Sequence, residues 1–179
     1  MTDSRLDEKI HRLQGPILVL GGSGFVGANL LRRLLLHRDD VYGTVLHAPA
    51  WRLEGVSRRN VLAVDLLVDV TRNELLDRIQ PRTIFNCVGY GAYSFETDSD
   101  LIYETNFRLT AKLLQQLEAA DINCYVHSGS SSEYGDSAAG PKEDDLPNPN
   151  SDYAVSKVSC ANLLRFYGRK RSLRCANLR

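Results

Sequence analysis

The apolar run Pro16–Leu20 passes through Gly21-Gly22-Ser23-Gly24-Phe25-Val26-Gly27 into a stretch with helical periodicity. No other feature restricts the chain so much. Glycines 21, 24 and 27 stand in a G-x-x-G-x-x-G spacing. A strand that enters a helix through glycines makes a tight turn and brings backbone close to a phosphate. The helix N-terminus there offers unpaired N–H groups and a positive dipole end. Gly27 would let the helix pack against the strand. No Lys-Ser/Thr pair follows, which excludes a Walker-type loop. Taken alone, such a turn is also consistent with a turn and nothing more.

Beyond it the chain alternates. Strand-like runs recur at Pro16–Leu20, Val41–Leu46, Val61–Asp65, Thr83–Val88, Cys124–Ser128 and Leu173–Leu178. Helix-length stretches lie between most of them. Phe25–Leu36 sets Val26, Leu30 and Leu34 on one face. Leu101–Ala120 sets Leu101, Thr105, Leu109 and Leu113 on one stripe, with Leu114 and Leu117 beside it. Ser151–Tyr167 is the last long helix. Apolar strands alternating with helices predict an α/β fold: a doubly wound, mostly parallel sheet in three α/β/α layers. Ala48–Asn60 and Gly135–Asn150 read as loops, the second long enough to suggest function. Residues 1–14 read as an N-terminal extension or linker with one short amphipathic helix. Residues 15–179 read as one domain, as a length of 179 suggests.

Composition narrows the function classes. Hydrophobic residues are 43% and charged residues 25%, which argues against disorder. Lys plus Arg and Asp plus Glu both number 22, so bulk charge gives no support for nucleic acid as a partner. No apolar run approaches the roughly 20 residues of a membrane span, and the charged start TDSRLDEKIHRLQ is not a secretion signal. A cytoplasmic protein without a membrane partner is expected. Cysteines 87, 124, 160 and 175 form no C-x-x-C pair, and Cys87 and Cys124 read as small core residues. His11, His37, His47 and His127 are scattered, so no metal is expected; His127 reads as packing or backbone-bonded rather than a base.

Three further places carry chemistry. After the second strand stands Thr44-Val45-Leu46-His47, with no acid to bind a ribose 2′-hydroxyl. His47, or Arg52 in the next loop, would instead meet a phosphate, which leans the reading to NADP over NAD; either is equally a solvated loop residue. Asp65 ends the third strand, placed for the adenine edge or as a cap. Tyr153-Ala154-Val155-Ser156-Lys157 is Y-x-x-x-K, and on a helix i and i+4 share a face. An ammonium beside a phenol favours the phenolate, so the tyrosine can exchange a proton near neutral pH. Gly129-Ser130-Ser131-Ser132-Glu133-Tyr134-Gly135 follows the fifth strand, at the edge where parallel sheets bind ligands, although serines also suit plain turns. The basic cluster Arg165, Arg169, Lys170, Arg171 and Arg174 reads as a solvated helix end. Trp51, Tyr90, Tyr93 and Phe95 either line a cofactor or substrate mouth or lie over core.

In this order, GGSGFVG at 21–27, Asp65-Leu66, Asn86-Cys87-Val88-Gly89, Asn106, Ser130–Gly135 and YAVSK at 153–157 resemble the extended short-chain dehydrogenase/reductase family. The likeness is to its nucleotide-sugar epimerase, dehydratase and reductase members and runs from about Pro16 to Arg179. It implies a Rossmann fold, a nicotinamide cofactor (NAD or NADP) and a Ser–Tyr–Lys set. By that likeness Tyr153 is the general acid/base. Lys157 lowers its pKa and holds the nicotinamide ribose. Ser130 is the catalytic hydroxyl, with Ser131 the alternative. Gly21, Gly24, Phe25, Val26, Gly27, His47, Asp65, Leu66, Cys87, Val88, Gly89, Asn106, Tyr153 and Lys157 contact the cofactor; Asn106 is equally a satisfied buried amide.

The departures matter as well. Dehydratases of the group carry an acidic pair just after the catalytic hydroxyl, where this chain has Ser131 and Ser132, so dehydration is not expected unless Glu133 substitutes. Epimerase or 4-keto reductase chemistry on a nucleotide sugar needs no such pair. Family members continue for about a hundred residues more, so the chain resembles their cofactor half without most of the substrate lobe, and little turnover by this piece alone is expected. The likeness implies a homodimer through the Leu101–Ala120 and Ser151–Tyr167 helices. The rival readings are a non-catalytic NAD(P)-binding module and a reductase of other small molecules.

Overall fold

The structure, a computed structural model, describes residues 4–137 and 139–179. Six strands form one sheet in the order β3-β2-β1-β4-β5-β6: β1 Ile17–Leu20, β2 Val41–Val45, β3 Val61–Ala63, β4 Thr83–Asn86, β5 Cys124–Ser128 and β6 Cys175–Leu178. β1 runs parallel to both β2 and β4, with Ile17 opposite Val41 and Thr83, and β2 runs parallel to β3. This mostly parallel, helix-covered arrangement is Rossmann-like, and its strand order reverses beside β1. The chain divides into two compact units, Met1–Cys87 with Asp121–Tyr125, and Val88–Ala120 with Val126–Arg179. Among the described residues no helix is long and apolar enough to cross a membrane.

The first unit packs around β1, whose four residues are all buried, as expected of a central parallel strand. Ile17 and Val19 join Ala28, Leu31 and Leu34 of helix α2 (Phe25–Leu35) and Val41 and Val45 of β2 in one core. The stripe of α2 differs from the expected Val26–Leu30–Leu34 face. Gly27, Ala28, Leu31 and Leu34 are buried, whereas Phe25 and Val26 are exposed. The close approach of Gly27 to the turn decides this. A Cβ there would lie 2.2 Å from the Gly21 carbonyl oxygen, so only glycine lets the first helical turn sit on the strand end. Helix α1 (Ser4–Arg12) falls in the segment read as an extension or linker, yet its Ile10 enters the same core, and Asp7 pairs with Arg33.

Helix α3 (Asp69–Ile79) has no counterpart in the sequence reading. Its buried stripe is Arg72, Leu75 and Ile79, and an arginine in that stripe erases the apolar period. The Arg72 guanidinium donates to the Leu66 carbonyl at 2.7 Å and to Asp69 at 2.6 Å, which satisfies the buried charge.

In the second unit, α4 (Ser99–Ile102), a π-helical segment Tyr103–Arg108 and α5 (Leu109–Leu117) form one continuous rod. The wider π turn shifts the buried face by one residue. Ile102 and Asn106 are buried where Leu101 and Thr105 were expected, and the two readings coincide again from Leu109 onward. Helix α6 (Asp152–Lys170) begins at Ser151, whose hydroxyl accepts from the Ala154 N–H, and buries Ala154, Cys160, Ala161, Leu164 and Tyr167. Asp152 accepts from Ser99 and Tyr103 and so ties the start of α6 to the rod. Cys87 and Cys124, expected in the core, are only half-buried.

Candidate active site

In the second unit the first turns of α6 carry Tyr153 and Lys157 on one face. The Lys157 ammonium lies 5.5 Å from the centre of the Tyr153 ring. Lys157 is almost wholly buried, and it donates to the Ser128 carbonyl at 3.0 Å, at the end of β5. Ser130, two residues further, hydrogen-bonds the Tyr153 phenol. Its hydroxyl also accepts from the Ser132 N–H at 3.1 Å. Ser131 is exposed. Of the two candidate hydroxyls, Ser130 is therefore the one brought to the tyrosine.

The electrostatics depart from expectation. Tyr153 is raised above the usual phenol range, first by burial and then by the charges of Glu133 and Glu96; the Ser130 hydrogen bond pulls the other way. In this arrangement the nearby ammonium does not depress the phenol pKa as the Y-x-x-x-K spacing suggested. His127, wholly buried in β5, is pushed down to about 3 by burial and then by the Lys157 charge. It is a neutral packing group at ordinary pH.

Asn106 braces the site. Its amide pairs with the backbone of Tyr90 in both directions, at 2.9 and 2.8 Å, and donates to Ser156 at 2.9 Å. Ser156 in turn donates to the Tyr153 carbonyl at 2.7 Å. Both amide N–H groups are thus spent within the protein. In the π turn the Asn106 carbonyl accepts from Thr110 and Cys160 instead. A side chain at Gly89 would begin 3.5 Å from the Lys157 ammonium and 3.8 Å from Asn106, so Gly89 faces the same group, one residue after Val88.

In the first unit the glycine turn is held from β2. The Gly22 N–H donates to the Thr44 carbonyl at 2.7 Å, and the Gly21 N–H to the Thr44 hydroxyl at 3.2 Å. Gly24 precedes α2 with no side-chain cap on the first-turn amides of Phe25, Val26 and Gly27. Arg52 stacks on Trp51 at 4.2 Å and donates to the Ser23 carbonyl, whereas His47 is exposed. The structure therefore brings Arg52, not His47, to the glycine turn. The Asp65 carboxylate accepts from the Leu67 N–H at 2.9 Å, a loop-capping contact, and Leu66 beside it is buried. Cys87 N–H donates to the Leu20 carbonyl, which extends β4 alongside the strand that enters the turn.

Residues 17–179 match the sequence model of the NAD dependent epimerase/dehydratase family. The chain belongs to that family. A UDP-glucose 4-epimerase of Erwinia amylovora is 30% identical over 169 residues, covering 86% of this chain and 48% of the relative. A dTDP-6-deoxy-L-talose 4-dehydrogenase (NAD(P)(+)) of Kitasatospora kifunensis is 31% identical over 156 residues, covering 83% and 46%. The solved UDP-glucuronic acid 4-epimerase from Bacillus cereus in complex with NAD superposes with a TM-score of 0.75 at 25% identity, over 91% of this chain and 55% of that one. The chain thus spans about half the length of the relatives it matches.

Thr44 at the glycine turn, and Ser156 and Glu96 around Tyr153, were missed by the sequence reading, which weighed Glu133 only as a substitute dehydratase acid. Thr44 and Ser156 lie inside motifs already noted, and their buried hydroxyls are the only hint. Nothing local marks Glu96.

Proposed function

We propose that this protein binds a nicotinamide dinucleotide and carries out reversible hydride transfer at a carbinol carbon of a nucleotide sugar, as an epimerase or 4-keto reductase. The observation that carries the reading is the grouping of Ser130, Tyr153 and Lys157 in one unit. The glycine turn fits the cofactor: its first-turn amides carry no side-chain cap, and a glycine stands at position 27, where a Cβ would collide with the Gly21 carbonyl. There Gly21, Gly24, Phe25, Val26 and Gly27 would take the pyrophosphate. Asp65, Leu66, Cys87, Val88 and Gly89 would line the adenosine and nicotinamide portions, Lys157 would hold the ribose, and Asn106 would act by bracing. Arg52, resting on the glycine turn, favours a 2′-phosphate and hence NADP, with His47 further out.

When bound, the nicotinamide supplies the hydride acceptor. Tyr153 takes the hydroxyl proton as the carbon–hydrogen bond gives up its electron pair, and Ser130 hydrogen-bonds the reacting oxygen as charge develops on it. The raised phenol is suited to donating that proton in the reductive direction. Dehydration draws no support from Glu133, which is buried and engaged by Ser130 and Asn177. A homodimer is proposed through the rod formed by α4, the π turn and α5 together with α6, where Leu101, Val155 and Phe166 are exposed apolar residues, and a cytoplasmic location suits the four free thiols. In the full chain, Tyr153→Phe should keep coenzyme binding by calorimetry and lose sugar-dependent absorbance change of the nicotinamide. Unchanged turnover would overturn the catalytic reading in favour of a binding module.

A further inference from the structure

Glu133 stands among serines in a turn, yet its side chain has no solvent exposure. Burying a carboxylate is costly unless hydrogen bonds and an opposite charge compensate. Here Oε1 accepts from the Ser130 N–H at 3.1 Å and from Asn177 at 3.2 Å. Oε2 faces the Arg179 guanidinium at 3.7 Å, and that side chain is itself largely buried. The main chain of Glu133 is fixed too: its N–H donates to the Ser130 carbonyl and its carbonyl accepts from Asn148, both at 3.1 Å. Space has been left for the acid. A Cβ at Gly129 would lie 2.7 Å from both Glu133 Oε1 and Asn177 Oδ1, so a side chain there would displace the pair.

We infer that Glu133 is a positioning residue: its carboxylate, held by Arg179 and Asn177, locks the turn on which Ser130 presents its hydroxyl to Tyr153. The inference rests on the Ser–Tyr–Lys reading above and extends it to an acid that touches neither substrate nor cofactor. The same charge acts on the phenol. Glu133 and Glu96 both oppose the phenolate, while the Lys157 ammonium stands over the ring; Asp152, next in sequence, is occupied by Ser99 and Tyr103. Glu133 thus sets both where Ser130 sits and how readily Tyr153 gives up its proton.

The test is the titration of Tyr153 in the full chain, followed by NMR of carbon-labelled tyrosine and assigned with Tyr153→Phe. Glu133→Gln keeps an acceptor for the Ser130 N–H and removes the charge. Its Tyr153 midpoint should move to lower pH, and the alkaline-rising limb of the oxidative rate should move the same way. Glu133→Ala also releases the turn, and kcat should fall on the order of 10²-fold with coenzyme affinity retained. An unmoved midpoint in Glu133→Gln, or wild-type kcat in Glu133→Ala, would overturn the inference. Should Glu133→Ala not fold, the isosteric Glu133→Gln decides the matter. The titration needs no turnover, so its outcome is separable from that of the Tyr153→Phe assay.

Discussion

The Thr44 hydroxyl accepts a hydrogen bond from the Gly21 N–H at 3.2 Å, while the Thr44 carbonyl takes the Gly22 N–H at 2.7 Å. One buried residue of β2 therefore fixes two successive amides of the glycine turn, and it does so from the strand that is parallel to β1. Thr44→Val removes the hydroxyl and leaves the partly buried Gly21 N–H short of a partner. The expected loss is about 1–2 kcal/mol of stability, with weaker coenzyme binding by calorimetry. Thr44→Ser should restore most of both. Wild-type affinity in the valine variant would show that the hydroxyl does not shape the turn.

Arg52 bridges Trp51 and the Ser23 carbonyl, which places a cation on the glycine turn. Arg52→Ala should weaken NADPH more than NADH, by roughly tenfold if the guanidinium meets the 2′-phosphate through charge-assisted hydrogen bonds. Equal changes for the two coenzymes in parallel titrations would remove Arg52 from that role.

His127 links stability to pH. Its ordinary value is 6.5, and in the fold it lies at about 3 because it is buried next to Lys157. Between these values the unfolded chain binds a proton that the folded chain refuses. The stability it contributes is fully present above about pH 6.5 and is drained as pH falls toward 3. Denaturant melts across that window should show the loss in the wild type and a shallower slope in His127→Gln. Parallel slopes would mean that other groups dominate the acid limb.

Asn106→Ala removes three hydrogen bonds from a buried amide and strands the Tyr90 backbone. A destabilisation of roughly 2–4 kcal/mol is expected from the unpaired groups, together with a fall in kcat because Ser156 and Tyr153 lose their brace. Asn106→Asp keeps the acceptor for Tyr90 and loses the donors, so it should retain part of the stability. Chemical denaturation of both variants orders the two contributions.

The parts legible in the sequence were those with a local signature. Five of the six strands start within a residue of the expected position, and the sixth, β6, begins two residues later; β1, with all four residues buried, is the clearest case, because a parallel strand covered on both faces is written as a continuous apolar run. The i, i+4 spacing of Tyr153 and Lys157 follows from helix geometry alone, and the nearness of the ammonium to the ring was visible in it. Helix α3 was lost because Arg72 occupies its buried stripe, and the stripe of the Ser99–Leu117 rod was misplaced by one residue ahead of the π turn. The sign of the Tyr153 shift was also out of reach, since it is set first by burial of the phenol and then by the charges of Glu133 and Glu96, none of which a motif of five residues contains.

Periodicity and backbone stereochemistry act over a turn of helix or a pair of peptides, so the amino-acid order by itself determined the alternation of strands and helices, the glycine turn and the pairing of phenol with ammonium. Only the tertiary structure decided that Thr44 supports Gly21, that Ser130 rather than Ser131 meets Tyr153, and that Glu96 and Glu133 set the charge around it. Those relationships join residues 20 or more positions apart in most cases, and burial and charge act through space, which chain order does not encode.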